Sequence, residues 1–312
     1  MSDGRCYDTS KATCAMTVDV EDYFHVAAFD KTIHRSDWGI KYPLRVEQST
    51  HRILELFDEH NVKATFFMLG WVANVCPSLA KEIVDNGHEL ASHGTHHQKA
   101  TSQSPEAFRD DVYRSKALLE DITGVPINGY RAPSFSINPT NEWAFSVLAE
   151  LGFVYSSSTY PVKHDHYGAP DWPKSKYLRP EGIYELPIPT LFKFGRSIPI
   201  GGGGFFRLYP YQLSKALITN YINRTGLPYS FYFHPWEIDE HQPRIADVPL
   251  KSHFRHYLNL GKMEDRVRYL LTDFSWNTMS HVFQLDGRTN DSTTADQRTD
   301  TPRYASLGRI CR

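Results

Sequence analysis

The regular alternation of short β-rich runs with amphipathic helical runs constrains the fold of this chain more than any other feature. Such alternation predicts a parallel sheet with helices packed outside it, either as a barrel or as an open doubly wound sheet. The predicted strands cover residues 16–20, 62–69, 89–92, 129–132, 153–156, 184–187 and 229–233. The predicted helices cover residues 49–61, 77–86, 104–123, 138–151, 211–222 and 262–272.

Capping residues support two of these helices. Ser104 is predicted to be the N-cap of the helix over 104–123, because a serine hydroxyl can accept a hydrogen bond from the first turn. Ser49 or Thr50 is predicted to do the same for the helix over 49–61.

The run GGGG at residues 201–204 is the most unusual short stretch of the chain. No helix with a phosphate-binding pattern is predicted to open from it, and no GxGxxG follows the first strand. Nucleotide binding is therefore disfavoured, and the run is predicted to be a flexible loop that covers a site.

Composition narrows the class of protein. The net charge of −2 argues against a nucleic-acid-binding protein, which would normally carry a basic patch. No apolar run reaches the length of about 18 residues that a membrane-spanning helix needs. The N-terminus does not read as a secretory signal. The four cysteines form no CxxC pair, so we predict free thiols and a cytoplasmic location.

From about residue 286 the chain is polar and aperiodic, and the segment 286–312 is predicted to be a disordered tail.

Polar side chains with catalytic potential stand at the ends of several predicted strands. Because the carboxyl ends of parallel strands meet at one edge of the sheet, loops from distant parts of the chain converge there. We therefore expect these side chains to form one site. They are Asp19, Glu21, Asp22, His93, His97, Arg131 and His234.

The pair His93 and His97 has the spacing of metal ligands. Two histidines four residues apart on a helix or a similar turn can bind one ion, and two histidines with one carboxylate are a common ligand set for hydrolytic zinc. Strand alternation turns Asp19 and Glu21 toward the same side, which favours both as members of the site. Asp22 reaches it only if the chain turns after the strand. His88 and His96 are predicted to lie on the surface.

Four segments, in this order, resemble the polysaccharide deacetylases with the NodB-homology domain, carbohydrate esterase family four: "TVDVEDYFHV", "HELASHGTHH", "GYRAPSFSI" and "FYFHPWEID". The layout is most similar to the branch with a peptidoglycan deacetylase and metal-free, allantoinase-like enzymes. Within it, the chain resembles the group associated with exosortase and exopolysaccharide gene clusters, which has a C-terminal extension. The resemblance implies a distorted (β/α)7 barrel, here assigned with its extension to residues 12–285.

The resemblance also implies roles for individual residues. Asp19 matches the catalytic base, Arg131 its partner, and His234 the acid that protonates the leaving amine. His93 and His97 match the metal ligands, with Glu21 or Asp22 as the carboxylate and zinc as the expected metal. Pro133 belongs to the Arg-x-Pro motif, and Pro133 and Trp236 are assigned to substrate binding. Glu237 or Asp239 is expected to orient His234.

Two positions depart from the family pattern. Val20 stands where the family has its second aspartate, and Ser156 is the expected counterpart of an aspartate that supports the base or the arginine. The function implied is a metal-dependent hydrolase that removes N-acetyl groups from a glycan or its precursor in exopolysaccharide biosynthesis. The alternatives are an allantoinase-like or cyclic-imide amidohydrolase and a catalytically silent carbohydrate-binding module.

Overall fold

A computed structural model describes residues 14–162, 168–193, 196–246 and 248–285. The predicted tail 286–312 lies outside these ranges. Within them, every helix is too short or too polar to cross a lipid bilayer. The strands are β1 (Cys14–Val20), β2 (Thr65–Met68), β3 (Glu89–Ser92), β4 (Gly129–Tyr130), β5 (Tyr155–Ser156), β6 (Tyr177–Leu178), β7 (Tyr184–Glu185), β8 (Thr190–Lys193), β9 (Arg196–Pro199), β10 (Tyr229–Phe233) and β11 (Trp276–Asn277). The helices are α1 (Val46–Glu59), α2 (Gly70–Val75), α3 (Pro77–Asp85), α4 (Pro105–Thr123), α5 (Trp143–Glu150), α6 (Gly203–Leu208), α7 (Tyr211–Thr225), α8 (Leu250–Tyr257), α9 (Met263–Asp273) and α10 (Met279–Val282).

One curled sheet forms the centre of the molecule. Strands β10, β1, β2, β3, β4, β5 and β7 lie side by side in that order and are parallel. Strand β6 is antiparallel beside β7, β11 is parallel beside β1, and β8 with β9 forms a separate hairpin. The predicted α/β fold, a distorted barrel, is confirmed: its parallel sheet curls into a half-barrel.

Strand β1 separates two apolar clusters. Val18 and Val20 belong to the main core, which also contains buried residues of α1, α3, α4, α5, α7 and α9. Ala15 packs instead with residues of β2, β3, β5 and α10. Helix α10 is anchored at the amino-terminal ends of the strands, where Met279 donates its backbone N–H to Thr65 Oγ1 at 2.7 Å. Apolar packing thus fills that end of the sheet and leaves the carboxyl ends of the strands for polar side chains.

The predicted cap of α4 is confirmed, and that of α1 is wrong. Ser104 accepts a hydrogen bond from the backbone N–H of Ala107 at 3.2 Å. Ser49 and Thr50 lie inside α1, which begins at Val46, and both are buried. The amino end of α1 is satisfied by a distant carboxylate described below, which a local pattern cannot indicate.

The glycine run is not a flexible loop. Helix α6 begins at Gly203, inside the run, and three of the four glycines are buried. A Cβ atom on Gly202 would lie 2.6 Å from the ring of Tyr232, and one on Gly203 would lie 2.3 Å from Glu237 Oε1. The glycines therefore permit close packing of this segment against β10 and the turn that follows it.

Candidate active site

The predicted site residues occupy the carboxyl ends of neighbouring strands. His93 follows β3, Arg131 follows β4 and His234 follows β10, while Asp19 is the second-last residue of β1. The strand register aligns Ser92 with Tyr130, which brings His93 next to Arg131. The parallel sheet therefore gathers residues from remote parts of the chain at one edge, as the sequence predicts.

Glu21, His93 and His97 form a cluster suited to a metal ion. Each offers one ligand atom, and these atoms lie within 4.8 Å of one another. Glu21 Oε2 is 2.7 Å from His97 Nε2, yet it makes no hydrogen bond of acceptable geometry. Burial would raise the pKa of Glu21, but the neighbouring His97, His234 and His93 hold it well below its usual range. The cluster thus contains a buried carboxylate whose charge calls for a cation.

A hydrogen bond determines which ring nitrogen of His93 is available to bind a metal ion. Its Nδ1 is 2.8 Å from the carbonyl oxygen of Arg131, which can only accept, so Nδ1 carries the proton. Burial lowers the pKa of His93 to about 4. The ring is therefore neutral at physiological pH, and its Nε2 presents a lone pair, the state that metal binding requires.

Asp111 on α4 shapes the turn that carries His97, a role that no local sequence pattern indicates. Its carboxylate accepts hydrogen bonds from the backbone N–H groups of Thr95, at 3.0 Å, and His96, at 3.3 Å. Within this turn His97 has a φ of 51°, a left-handed conformation that is uncommon for residues other than glycine. His96 itself is exposed, as predicted, and lies outside the cluster.

Trp236 is not placed to stack on a sugar, contrary to the prediction. Its ring is stacked on the rings of His234 and His256, with centroids 5.0 Å and 4.3 Å away. The indole N–H donates to Glu21 Oε1 at 3.2 Å. The residue is buried, and its indole orients the carboxylate of the metal cluster instead. Pro133, the other predicted substrate contact, is buried at the start of a 3₁₀ turn.

Asp22 lies outside the cluster, because its side chain caps backbone N–H groups. It accepts hydrogen bonds from the backbone N–H groups of Tyr23 at 2.8 Å, Arg45 at 2.6 Å and Val46 at 2.8 Å. Burial raises the pKa of Asp22 to about 6, although these three donors oppose the shift. Two of the donors belong to the amino end of α1, so Asp22 performs the capping that Ser49 or Thr50 was predicted to supply.

Asp19 and Arg131 form a buried ion pair. Arg131 Nη1 is 2.5 Å from Asp19 Oδ1 and 2.9 Å from Thr17 Oγ1. Its other nitrogens donate to Ser157, to the carbonyl oxygen at 3.3 Å and to Oγ at 3.2 Å. Ser156, the predicted counterpart of the family's supporting aspartate, donates to Ser158 Oγ and not to the arginine or the base. Ser157 and Thr17 therefore support this pair.

His234 is held by a second buried charge pair. Its Nδ1–H donates to Glu237 Oε1 at 2.7 Å, and Glu237 Oε2 accepts from Arg207 Nε at 2.7 Å. The opposite ring nitrogen, Nε2, lies 4.0 Å from Asp19 Oδ2. Burial would lower the pKa of His234, but the carboxylates of Glu21, Glu237 and Asp19 raise it to about 9.

The orienting residue is thus Glu237 and not Asp239, which pairs with Arg45. Arg207 was not singled out from the sequence. Its guanidinium also donates to the carbonyl oxygens of His256 and Leu258 at the end of α8.

Two family models match adjacent segments of the chain. Residues 26–156 match the family described as polysaccharide deacetylase, and residues 157–284 match a domain of unknown function, DUF3473. Strand β10, from the second segment, pairs with β1, and β7 pairs with β5. The second segment therefore contributes strands to the same sheet and supplies His234, Glu237 and Arg207 to the site.

Individual relatives agree with the first match. A peptidoglycan deacetylase of Helicobacter pylori is 34% identical over 108 residues, which are 34% of this chain and 36% of that protein. A peptidoglycan-N-acetylglucosamine deacetylase of Bacillus cereus is 30% identical over 104 residues, 33% of this chain and 47% of that protein. The chain thus spans less than half of either relative. A crystal structure assigned to the polysaccharide deacetylases, from Mycobacterium smegmatis, superposes with a TM-score of 0.56 at 20% identity and covers 88% of this chain and 90% of that chain. This similarity establishes the fold.

Proposed function

We propose, starting from the polysaccharide deacetylase domain that this chain carries, that the protein is a metal-dependent hydrolase that removes N-acetyl groups from a glycan. The observation that carries the proposal is the buried Glu21–His93–His97 cluster with Asp19 and His234 beside it. Two imidazoles and one carboxylate suit zinc and other first-row divalent metals. The relatives named above, whose names describe glycan deacetylases, support the substrate class.

The residues that would hold the metal are Glu21, His93 and His97. A divalent cation bound there would polarise the acetyl carbonyl and lower the pKa of a water molecule. Trp236 and the Arg131 carbonyl keep Glu21 and His93 in place through the hydrogen bonds described above. Ligands held in this way need little rearrangement when an ion binds.

Asp19 and His234 each carry out one proton transfer of the reaction. Asp19 Oδ1 is engaged by Arg131, so Oδ2 is the atom available to take a proton from the attacking water. Addition of that water to the amide carbonyl is followed by cleavage of the C–N bond, which yields acetate and an amine. Because an amine leaves poorly as an anion, it needs a proton, and His234 Nε2 supplies it. The carboxylates of Glu21, Glu237 and Asp19 hold His234 in the charged state that this step requires, and Arg207 keeps Glu237 in place.

Three finer properties belong to the proposal. Zinc is the expected metal, exopolysaccharide biosynthesis the expected setting and the cytoplasm the expected location. Metal analysis of protein purified without added metal, the N-acetylation of polysaccharide from a deletion strain and cell fractionation test these properties separately.

The central experiment compares His93→Ala with His96→Ala in the same turn. His96 is exposed and outside the cluster, so its variant controls for the loss of an imidazole from this segment. We expect His93→Ala to lose bound metal and acetate release from N-acetylglucosamine oligomers, and His96→Ala to retain both. Unchanged metal content and acetate release in His93→Ala would reject the site. If the metal-loaded wild type binds these oligomers but releases no acetate, the protein is a carbohydrate-binding module instead.

A further inference from the structure

A cavity of about 390 Å³ opens beside the metal cluster and has no role in the chemistry described above. His97 lines both the cluster and the cavity, so a ligand in the cavity would lie directly next to the reacting group. The rest of the lining comes from the segment that follows β1, including Phe24, His25 and Trp38, and from residues adjacent to His97. The motif "DYFHV" contains two of these residues, Phe24 and His25, and neither has a role in the site described above.

His25 contributes a hydrogen-bond donor to this cavity. Its Nδ1 accepts the backbone N–H of Asp22 at 2.8 Å, so in the neutral ring the proton sits on Nε2. Nε2 is buried, and no group in the described part of the chain is its hydrogen-bond partner. A buried N–H without a partner is unfavourable by about 1–3 kcal/mol, so its presence indicates a ligand or an ordered water.

Trp38 contributes a second donor of the same kind. An indole N–H can only donate, and Trp38 Nε1 is buried without a hydrogen-bond partner among the described residues. Its ring meets that of His25 edge to face, with centroids 4.3 Å apart, so the two side chains are neighbours in the wall of the cavity. Two adjacent unpaired donors call for a ligand rich in acceptor oxygens.

The charged side chains that line the cavity indicate the sign of the ligand's charge. Arg35, whose guanidinium lies 5.9 Å from the centroid of the Trp38 ring, and Lys99 both line the cavity. Neither forms a salt bridge within the described ranges. Asp30 is the one carboxylate that the described residues contribute to the lining. The lining itself thus carries two cations against one carboxylate, although the chain as a whole has a net charge of −2.

We propose that this cavity is a subsite for an oxyacid group, a carboxylate or a phosphate, on the part of the glycan next to the sugar that is deacetylated. The inference rests on the proposed function, and it narrows the substrate to a negatively charged glycan. The N–H groups of His25 and Trp38 donate to the oxyacid oxygens, and Arg35 and Lys99 neutralise the charge. A hydrogen bond to a charged group is roughly twice as strong as one between neutral groups, which favours an anionic ligand here.

The test is a calorimetric titration of wild type and variants with three probes. A disaccharide of glucuronic acid and N-acetylglucosamine carries a carboxylate, N-acetylglucosamine 1-phosphate carries a phosphate, and N,N′-diacetylchitobiose is neutral. We expect at least one charged probe to bind about tenfold or more tightly than the neutral probe at low salt. Which charged probe binds more tightly distinguishes a uronic acid from a sugar phosphate.

Two variants test whether the preference for the charged probe arises in this cavity. Arg35→Gln removes one cation, and Trp38→Phe removes one N–H while it keeps an aromatic ring. Each is expected to weaken the binding of the charged probe about tenfold and to leave the neutral probe unaffected. Lys31→Gln is the matched control, because Lys31 is an exposed cation of the same segment that does not line the cavity.

Equal affinity for charged and neutral probes, or an equal effect of Arg35→Gln and Lys31→Gln, overturns the subsite. The titration needs no turnover, so it is run on metal-free and metal-loaded protein alongside the acetate-release assay. A preference for the charged probe without acetate release would support the subsite and reject the deacetylase activity. Acetate release without that preference would support the deacetylase activity and reject the subsite.

Discussion

Asp19 and Arg131 stand 112 positions apart in the chain and meet in the interior, with Asp19 Oδ1 2.5 Å from Arg131 Nη1. The arginine is fully buried and the aspartate nearly so. One carboxylate oxygen is thereby committed to the ion pair, and the other is left to face His234. This division assigns different tasks to the two oxygens of a single side chain.

Replacement of Asp19 by asparagine should separate metal binding from turnover. The amide of Asp19→Asn keeps an oxygen for Arg131 but cannot take a proton, and loss of a general base typically lowers rates by about 10²–10⁴-fold. We expect kcat for acetate release to fall by that factor while the bound metal, measured by mass spectrometry, stays at the wild-type level. Full turnover in Asp19→Asn would remove Asp19 as the base. An alanine is a poorer choice, since an unpaired buried Arg131 would destabilise the fold by about 3–5 kcal/mol.

Glu21 and Asp22 are adjacent in the sequence, and the structure gives them different roles. Glu21→Gln should lower metal occupancy by at least about tenfold, because the cluster loses its only charged ligand. Asp22→Asn should keep its metal but lose about 1–3 kcal/mol of unfolding free energy, because an amide cannot serve all three backbone donors. Metal analysis and urea unfolding of both variants check this pair. If Asp22→Asn loses its metal and keeps wild-type stability, Asp22 is the metal ligand and not the cap of α1.

The glycine run offers a test of how His234 is oriented. A Cβ on Gly203 would lie 2.3 Å from Glu237 Oε1, the oxygen that accepts the hydrogen bond from His234 Nδ1–H, whereas one on Gly204 would have no atom within 4 Å. Gly203→Ala should therefore displace the Glu237 carboxylate and lower kcat about tenfold or more without a loss of metal. Gly204→Ala should retain full activity and gain a few tenths of a kcal/mol, about what Gly→Ala contributes at a compatible helical position. Equal activity in the two variants would show that Glu237 does not control His234.

The sequence predicted the parallel sheet and the edge at which the site forms, because both follow from local signals. Strand β10 and helix α4 match their predicted ranges closely, since alternation, an N-cap and a terminal glycine each act over a few residues. The strand ends then indicated which side chains could meet, since sheet topology places them together whatever the details of the loops.

The assignments that the sequence could not make depend on contacts across long separations. Trp236 was assigned to sugar binding, but its ring is buried and stacks on His234 and His256, and no local pattern reveals such stacking. Arg207 approaches Glu237 from 30 positions away because two glycines permit close packing. Likewise, Asp22 caps the start of α1 from 23 and 24 positions upstream. In each case the partner of the side chain is set by tertiary packing, which neither the residue type nor the local sequence indicates.

His88 was predicted at the surface, but it is buried, and its burial makes the stability of the protein depend on pH. Its Nδ1 accepts the backbone N–H of Ala64 at 3.1 Å, and burial lowers the pKa of His88 from 6.5 to about 4. The unfolded chain therefore binds this proton more readily than the folded one, so the stabilisation is fully present above pH 6.5. It is lost as the pH falls from 6.5 to about 4.

The measurement compares wild type with His88→Asn, whose side-chain oxygen can still accept from Ala64 but does not titrate. Between pH 7 and pH 5 the wild type should lose about 2 kcal/mol more unfolding free energy than the variant, from this one histidine. Other buried histidines titrate in both proteins, so only the difference between the two urea-unfolding series is informative. His241→Asn, at a side chain that is 83% exposed, is the control and should follow the wild type. Parallel pH profiles for wild type and His88→Asn would show that His88 is not held neutral by the fold.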